Sequence, residues 1–191
     1  MTDELRKNDG DIISRYLPGL SQLSSSISEK VLAVWIHVKK KSDYLHIEDF
    51  PYSVLAPQYR LMDHVKEVGE IGLALADTVK VMWGLSVDIP LLVQALLLHD
   101  IDKPLMYFRN GEKVEETELA KEIPHGVLGG LILKEFDFSD ELIYLVSTHS
   151  AQSPFHGNRV EGYVLHYADF ISADHAIMKT DNVPFYQKHF C

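Results

Sequence analysis

An apolar run that stops on a histidine and an aspartate constrains this chain more than any other feature. In Leu96-Leu97-Leu98-His99-Asp100-Ile101-Asp102-Lys103-Pro104, the leucines read as a helix buried on every side. A purely structural helix end has no need of an imidazole next to a carboxylate, and both are metal-ligand types. Burying an ionised aspartate costs several kcal/mol unless it is paired, so Asp100 requires a partner. A divalent cation is the economical choice, and a capping aspartate beside a packed histidine is the structural alternative. The same residue types recur as His64, His125, His149 and Asp169, mostly within segments that otherwise read as core.

The rest of the chain reads as helices joined by short breaks. Residues 1 to about 25 are polar and suit a short helix or a partly ordered arm. Ser26 and Glu29 form a capping box, after which Val31, Val34, Trp35 and Val38 recur at helical spacing. That helix ends near Lys39-Lys40-Lys41, a solvated end favoured by the helix dipole. Residues 42–56 read as a connecting loop. A second helix is expected from about Gln58 to Trp83, with Leu61, Val65, Val68, Leu75, Val79 and Met82 as its apolar stripe and His64 beside it. Asp88 and Pro90 announce the central helix, since a carboxylate caps free amides and proline is tolerated in a first turn.

Asn110-Gly111 marks a small surface hairpin or an extended loop, and Thr117 to Lys121 can start a short helix. His125 opens a further apolar helix, in which Gly126, Gly129 and Gly130 imply a close approach to the backbone. Ser139 caps the next one, where Leu142, Leu145, Val146 and His149 share a face. A buried histidine there needs a hydrogen bond or a metal. Residues 150–159 are broken by proline and glycine and suit the mouth of a site. The last helix runs from about Val160 to Met178, with Leu165, Asp169 and Ser172 on one side. Asp174 is the rival carboxylate, nearer the polar end. Residues 179–191 form a tail.

Composition narrows the partners. With 191 residues and 46% hydrophobic content, the chain suits one globular domain. Its parts are an N-terminal arm and helix (1–57) packing on a metal-binding core (58–178), then the tail (179–191). No apolar run approaches the roughly 18 residues of a membrane span, and the polar N-terminus lacks signal-peptide character. The expectation is a soluble, cytoplasmic protein. The single cysteine, Cys191, excludes an intrachain disulfide or a cysteine metal site, so any metal is bound by nitrogen and oxygen. A net charge of −10 disfavours nucleic acid polymers and anionic membranes. A small anionic substrate stays compatible, because a buried metal dominates its local field. The oligomeric state is open, a homo-oligomer included.

His64, the pair His99-Asp100 in a leucine-rich helix, and Asp169 in Tyr167-Ala168-Asp169-Phe170 resemble the H…HD…D pattern of the HD-domain superfamily of metal-dependent phosphohydrolases. The resemblance spans about residues 58–175. Lys103 resembles the lysine of that family's His-Asp-x-x-Lys motif, and His125 and His149 resemble the extra ligands of its dinuclear branches, which include diiron oxygenases. The signature of the cyclic dinucleotide enzymes is absent: Ser150 follows His149, and Gly162-Tyr163 is followed by Val164.

The resemblance implies an all-α, HD-domain-like bundle with a central metal site. His64, His99, Asp100 and Asp169 would hold one ion, and Asp100 would bridge to a second held by His125 and His149. Iron, manganese or cobalt suit these donors, and zinc is compatible. Such ions acidify a water into a nucleophile near neutral pH. Asp100 and Lys103 would then be the catalytic residues, with Lys103 steadying an anionic oxygen. Arg60, a helical turn before His64, and His156 in the 150–159 loop join Lys103 as candidate substrate contacts, although Arg60 also reads as an ordinary exposed arginine. The leading expectation is hydrolysis of a phosphoester in a nucleotide or other small phosphorylated metabolite. A diiron oxygenase acting on a small polar substrate and a non-catalytic metal- or nucleotide-binding sensor are the alternatives.

Overall fold

The apolar stretch before His99 forms α4 (Ile89–Leu98), and the other elements are laid around it. The computed structural model describes residues 3–151 and 153–188, so Cys191 lies outside the described residues. The chain begins with α1 (Asp3–Ser14) and α2 (Ser25–Lys41), then a hairpin of β1 (Pro51–Ser53) and β2 (Ala56–Arg60) leads into α3 (Leu61–Trp83). After α4 come α5 (Lys103–Met106), a hairpin of β3 (Tyr107–Asn110) and β4 (Lys113–Glu116), and α6 (Glu118–Glu122). The chain continues through α7 (Val127–Glu135), α8 (Asp140–Thr148), α9 (Val160–Met178) and α10 (Phe185–Lys188). Two small antiparallel ribbons on a bundle of helices make the fold all-α, as the sequence implies. Among the described residues, no helix is long and apolar enough to cross a membrane.

Leu91, Leu92, Val93 and the run Ala95 to Leu98 are all buried, because α2, α3, α8 and α9 enclose α4. The Asp88 carboxylate caps this helix, accepting from the Leu91 N–H at 3.0 Å. From α2, Trp35 is buried against α4 and donates its indole N–H to the Leu97 carbonyl at 3.2 Å. Gly72 of α3 sits directly on Leu96, where a Cβ would collide with the leucine side chain. That close approach of α3 to α4 brings His64 beside His99.

Four local expectations change. The cap of α2 is Ser24, whose hydroxyl accepts from the Ile27 N–H, while Ser26 meets Ser24 at 3.2 Å. The 42–56 stretch holds β1 and the start of β2, so α3 begins at Leu61 and not near Gln58. Phe50 and Ala56 each precede a proline, which disfavours the helical backbone region and holds them extended. Met82 of the expected stripe is exposed, because the last turn of α3 runs past the core. Asp174 is buried at the tail, where it accepts from the backbone N–H groups of Phe185 and Tyr186 and so caps α10. The Asn110-Gly111 hairpin forms as expected, with Gly111 at φ 63°.

Candidate metal centre

The helix ends around α4 bring His64, His99, Asp100, His125, His149 and Asp169 together in the core. His64 comes from the first turns of α3, His99 and Asp100 from the turn closing α4, and Asp169 from the middle of α9. His125 precedes α7 and His149 closes α8. Gly126 takes a φ of 82°, and a Cβ there would lie 2.9 Å from the Val146 carbonyl oxygen. Only a glycine lets this corner fold onto α8 and bring His125 against His149.

The hydrogen bonds of the outer ring nitrogens decide what the inner ones can do. His99 Nδ1 lies 3.0 Å from the Leu96 carbonyl, and His149 Nδ1 lies 2.7 Å from the Val146 carbonyl. A carbonyl only accepts, so both Nδ1 atoms carry the proton and each neutral ring presents a bare lone pair at Nε2. His64 Nδ1 lies 2.9 Å from the Ser172 hydroxyl, which itself donates to Glu67 at 2.7 Å. That serine must therefore accept from His64, leaving Nε2 of His64 bare as well. Glu67 is held in turn by Tyr59 at 2.8 Å and His175 at 2.8 Å. His125 Nδ1 faces Asp102 at 3.0 Å, and Asp102 also accepts from the Gly126 N–H at 2.9 Å.

The inner nitrogens converge in two pairs. His64 and His99 place their Nε2 atoms 3.1 Å apart, and His125 and His149 place theirs 3.2 Å apart. Asp100 stands between the pairs. Its Oδ2 is 3.2 Å from His64 Nε2 and 3.4 Å from His99 Nε2, whereas Oδ1 is 2.9 Å from His125 Nε2 and 3.6 Å from His149 Nε2. Asp169 Oδ1 closes the first side at 3.2 Å from His64 Nε2.

Among the described residues, neither oxygen of the buried Asp100 has a well-directed hydrogen-bond partner. Beyond the Lys103 ammonium 2.7 Å from Oδ2, imidazole nitrogens and carboxylate oxygens packed this closely need protons or a metal ion between them. Two groups could hold a metal ion, His64 with His99 and Asp100, and Asp100 with His125 and His149, their ligand atoms lying within 4.8 Å of one another in each. The donor set therefore fits a divalent metal.

Charges are arranged accordingly. Burial pushes the Asp100 carboxyl upward, yet Lys103 and His99 outweigh it and hold Asp100 well below the usual carboxylate range. Burial likewise opposes ionisation of Asp169 and Asp102, but His64 and His125 respectively bring them below their ordinary values. Against burial, Asp102 leads in raising the ion-free His125 to about 10. Burial lowers His99. Lys103 is buried with its Nζ 2.7 Å from Asp100 Oδ2 and 3.8 Å from the centre of the Tyr52 ring. Burial opposes its charge and Asp100 more than compensates, so it stays an ammonium.

Asp169 and His125 are where the site meets solvent, with side chains 17% and 22% exposed. A cavity of about 270 Å³ adjoins the site and shares His149 with it. His156, one of the three expected substrate contacts, lines this cavity. Lys103, another, lies against Asp100, and Arg60 lies at the surface in a bidentate pair with Asp63 at 2.6 and 3.0 Å, outside the cluster. Sequence reasoning missed Asp102, Glu67 and Tyr52, and it placed Ser172 on the correct helix side without a role. The signal that could have found Asp102 is its place two residues after Asp100, at the end of the same leucine-rich stretch.

Fold and site together define a helical metalloprotein with a buried histidine and carboxylate centre. The family model described as HD domain matches residues 61–174, more than half of the chain, and the chain belongs to that family. It is 33% identical over 110 residues to the dihydroneopterin 2',3'-cyclic phosphate phosphodiesterase of Methanocaldococcus jannaschii, a match covering 57% of this chain and 44% of that protein. The chain thus spans less than half the length of that curated relative. No solved structure matches it.

Proposed function

We propose that the chain is a phosphohydrolase that uses two divalent ions to cleave a phosphoester of a nucleotide or another small phosphorylated metabolite. The observation that carries this reading is Asp100, whose two oxygens turn toward two separate histidine pairs. His64, His99, Asp100 and Asp169 would hold one ion, and Asp100, His125 and His149 the other. When bound, such ions acidify a water and neutralise phosphoryl charge. The residues around them do the positioning. Ser172, Asp102 and the carbonyls of Leu96 and Val146 keep the Nε2 lone pairs aimed inward. Lys103 pins Asp100 and keeps a fixed positive charge beside the reacting phosphoryl oxygens.

The M. jannaschii relative, named for action on a cyclic phosphate, makes cyclic phosphodiesters the first substrates to test. Protein purified without oxygen and supplied in turn with manganese, cobalt and iron is expected to open or release phosphate from members of a panel of cyclic phosphodiesters, nucleotides and simple phosphoesters. No turnover with any ion would overturn the reading. In the same protein, Asp102→Asn is expected to weaken the ion at His125 and His149 by about 10- to 100-fold, since partners of metal ligands typically contribute that much. Competition with a chromophoric chelator measures this, and unchanged affinities for both ions would exclude the role given to Asp102.

A further inference from the structure

Beside the centre lies a cavity built from the end of α8, the 150–159 loop and the start of α9, and its residues have no part in holding the ions beyond His149. Its walls carry Tyr144, His156, Tyr163, His166 and Tyr167, with Arg159 at one side. The rings form a continuous set: Tyr163 and Tyr167 centroids are 4.6 Å apart, His166 and Tyr167 5.2 Å, and His156 and His166 5.2 Å. His166 and the metal-site residue His149 also touch, with Nδ1 of the first 3.4 Å from the carbonyl of the second. Tyr163 and Tyr167 are 45% and 46% exposed, so the fold leaves much of two large aromatic side chains in water at this position.

We infer that this cavity receives a single planar heteroaromatic ring of the substrate, while the substrate's phosphate lies at the ions. The inference rests on the phosphohydrolase reading and names its substrate class. Aromatic walls offer faces for stacking, and the phenol and imidazole groups offer hydrogen bonds to a ring edge bearing nitrogen and oxygen. Among the described residues, the lining contains Arg159 and no carboxylate, in a chain of net charge −10. Arg159 is paired with Glu161 at 3.4 Å, so the walls are close to neutral and suit an uncharged ring. The volume of about 270 Å³ lies at the lower edge of the roughly 300–1,000 Å³ typical of small-molecule sites. That space suits one ring system.

The test uses the full chain with its metal, in the native form and as Tyr163→Ala and Tyr167→Ala. Both tyrosines are half exposed, so the helical melt serves as the control for folding. Calorimetric titration with adenosine, guanosine, cytidine and neopterin probes the ring without its phosphate. Binding of at least one, weakened about tenfold or more by either substitution, is the expected result. Kinetics then compare a ring-bearing 2',3'-cyclic phosphate with ethylene glycol cyclic phosphate, which has no ring. The ratio of the two kcat/KM values is expected to fall about tenfold or more in each variant, chiefly through KM. An unchanged ratio with no ring binding by any of the four probes overturns the inference and leaves the hydrolase reading standing. Tyrosine-dependent ring binding without hydrolysis of either substrate supports the cavity and overturns the hydrolase reading.

Discussion

Asp100→Ala is expected to leave the protein without bound metal, with phosphoester hydrolysis reduced by about a thousandfold or more. The loss reaches both ion positions, because Asp100 faces His64 and His99 through Oδ2 and His125 and His149 through Oδ1. Helical content should survive, since the apolar enclosure of α4 is untouched. Stability should not survive intact. The substitution removes the carboxylate that faces the buried Lys103 ammonium at 2.7 Å, and an orphaned buried charge costs about 3–5 kcal/mol. For a chain of this size that corresponds to a fall of about 10 °C in Tm.

Adding Lys103→Met separates the two consequences. The orphaned charge disappears, so the share of the lost Tm that it caused should return, while the share due to the lost ions does not and metal content stays at zero. Elemental analysis, circular dichroism and thermal melts of both variants read all three quantities. Full metal content in Asp100→Ala would sink the assignment of the centre. Equal melting temperatures in the single and double variants would show that Lys103 does not depend on Asp100.

The parts of this site that were legible in the sequence are those set by one element at a time. A helix apolar on every side must be buried, so the polar residues closing it had to be buried too, and His99 and Asp100 followed from α4 alone. Asp169 was separable from Asp174 by its distance from the polar end of α9. The outer layer was not legible, because its partners join elements far apart in sequence. Glu67 and Ser172 are separated by 105 residues and Asp102 and Gly126 by 24. Helical spacing tells which face a residue occupies and not which residue of another helix it meets. The cap of α2 failed for a simpler reason, since Ser24, Ser25 and Ser26 stand in a row and residue type does not distinguish them. The ribbon before α3 was hidden by Pro51 and Pro57, which mark a loop and hold the preceding residues extended with equal force.

Stripping the ions with a chelator is expected to expose a pH dependence that the loaded protein lacks. In the ion-free site His125 is raised to about 10, with burial opposing and Asp102 leading the rise, against about 6.5 when unfolded. A raised histidine contributes stability that is fully present below about pH 6.5 and is lost as the pH climbs through about 10. His64, held up by Asp100 and Asp169 despite its burial, acts in the same direction. The lowered carboxyls of Asp100, Asp102 and Asp169 contribute stability above about pH 4 that is lost in acid. The stripped protein should therefore weaken steadily from near pH 6.5 toward pH 10. In the loaded protein an ion held by these residues would take the place of the proton at these nitrogens, and its affinity would grow with pH because imidazole binds metal only when deprotonated. Ion binding at about a thousand times Kd adds about 4 kcal/mol. The gap in Tm between loaded and stripped protein should consequently widen from pH 6 to pH 9, which paired thermal melts would measure directly. A gap that stays constant would mean that proton and ion do not compete for the same nitrogens, and the inward-facing lone pairs of His64 and His125 would lose their assigned role.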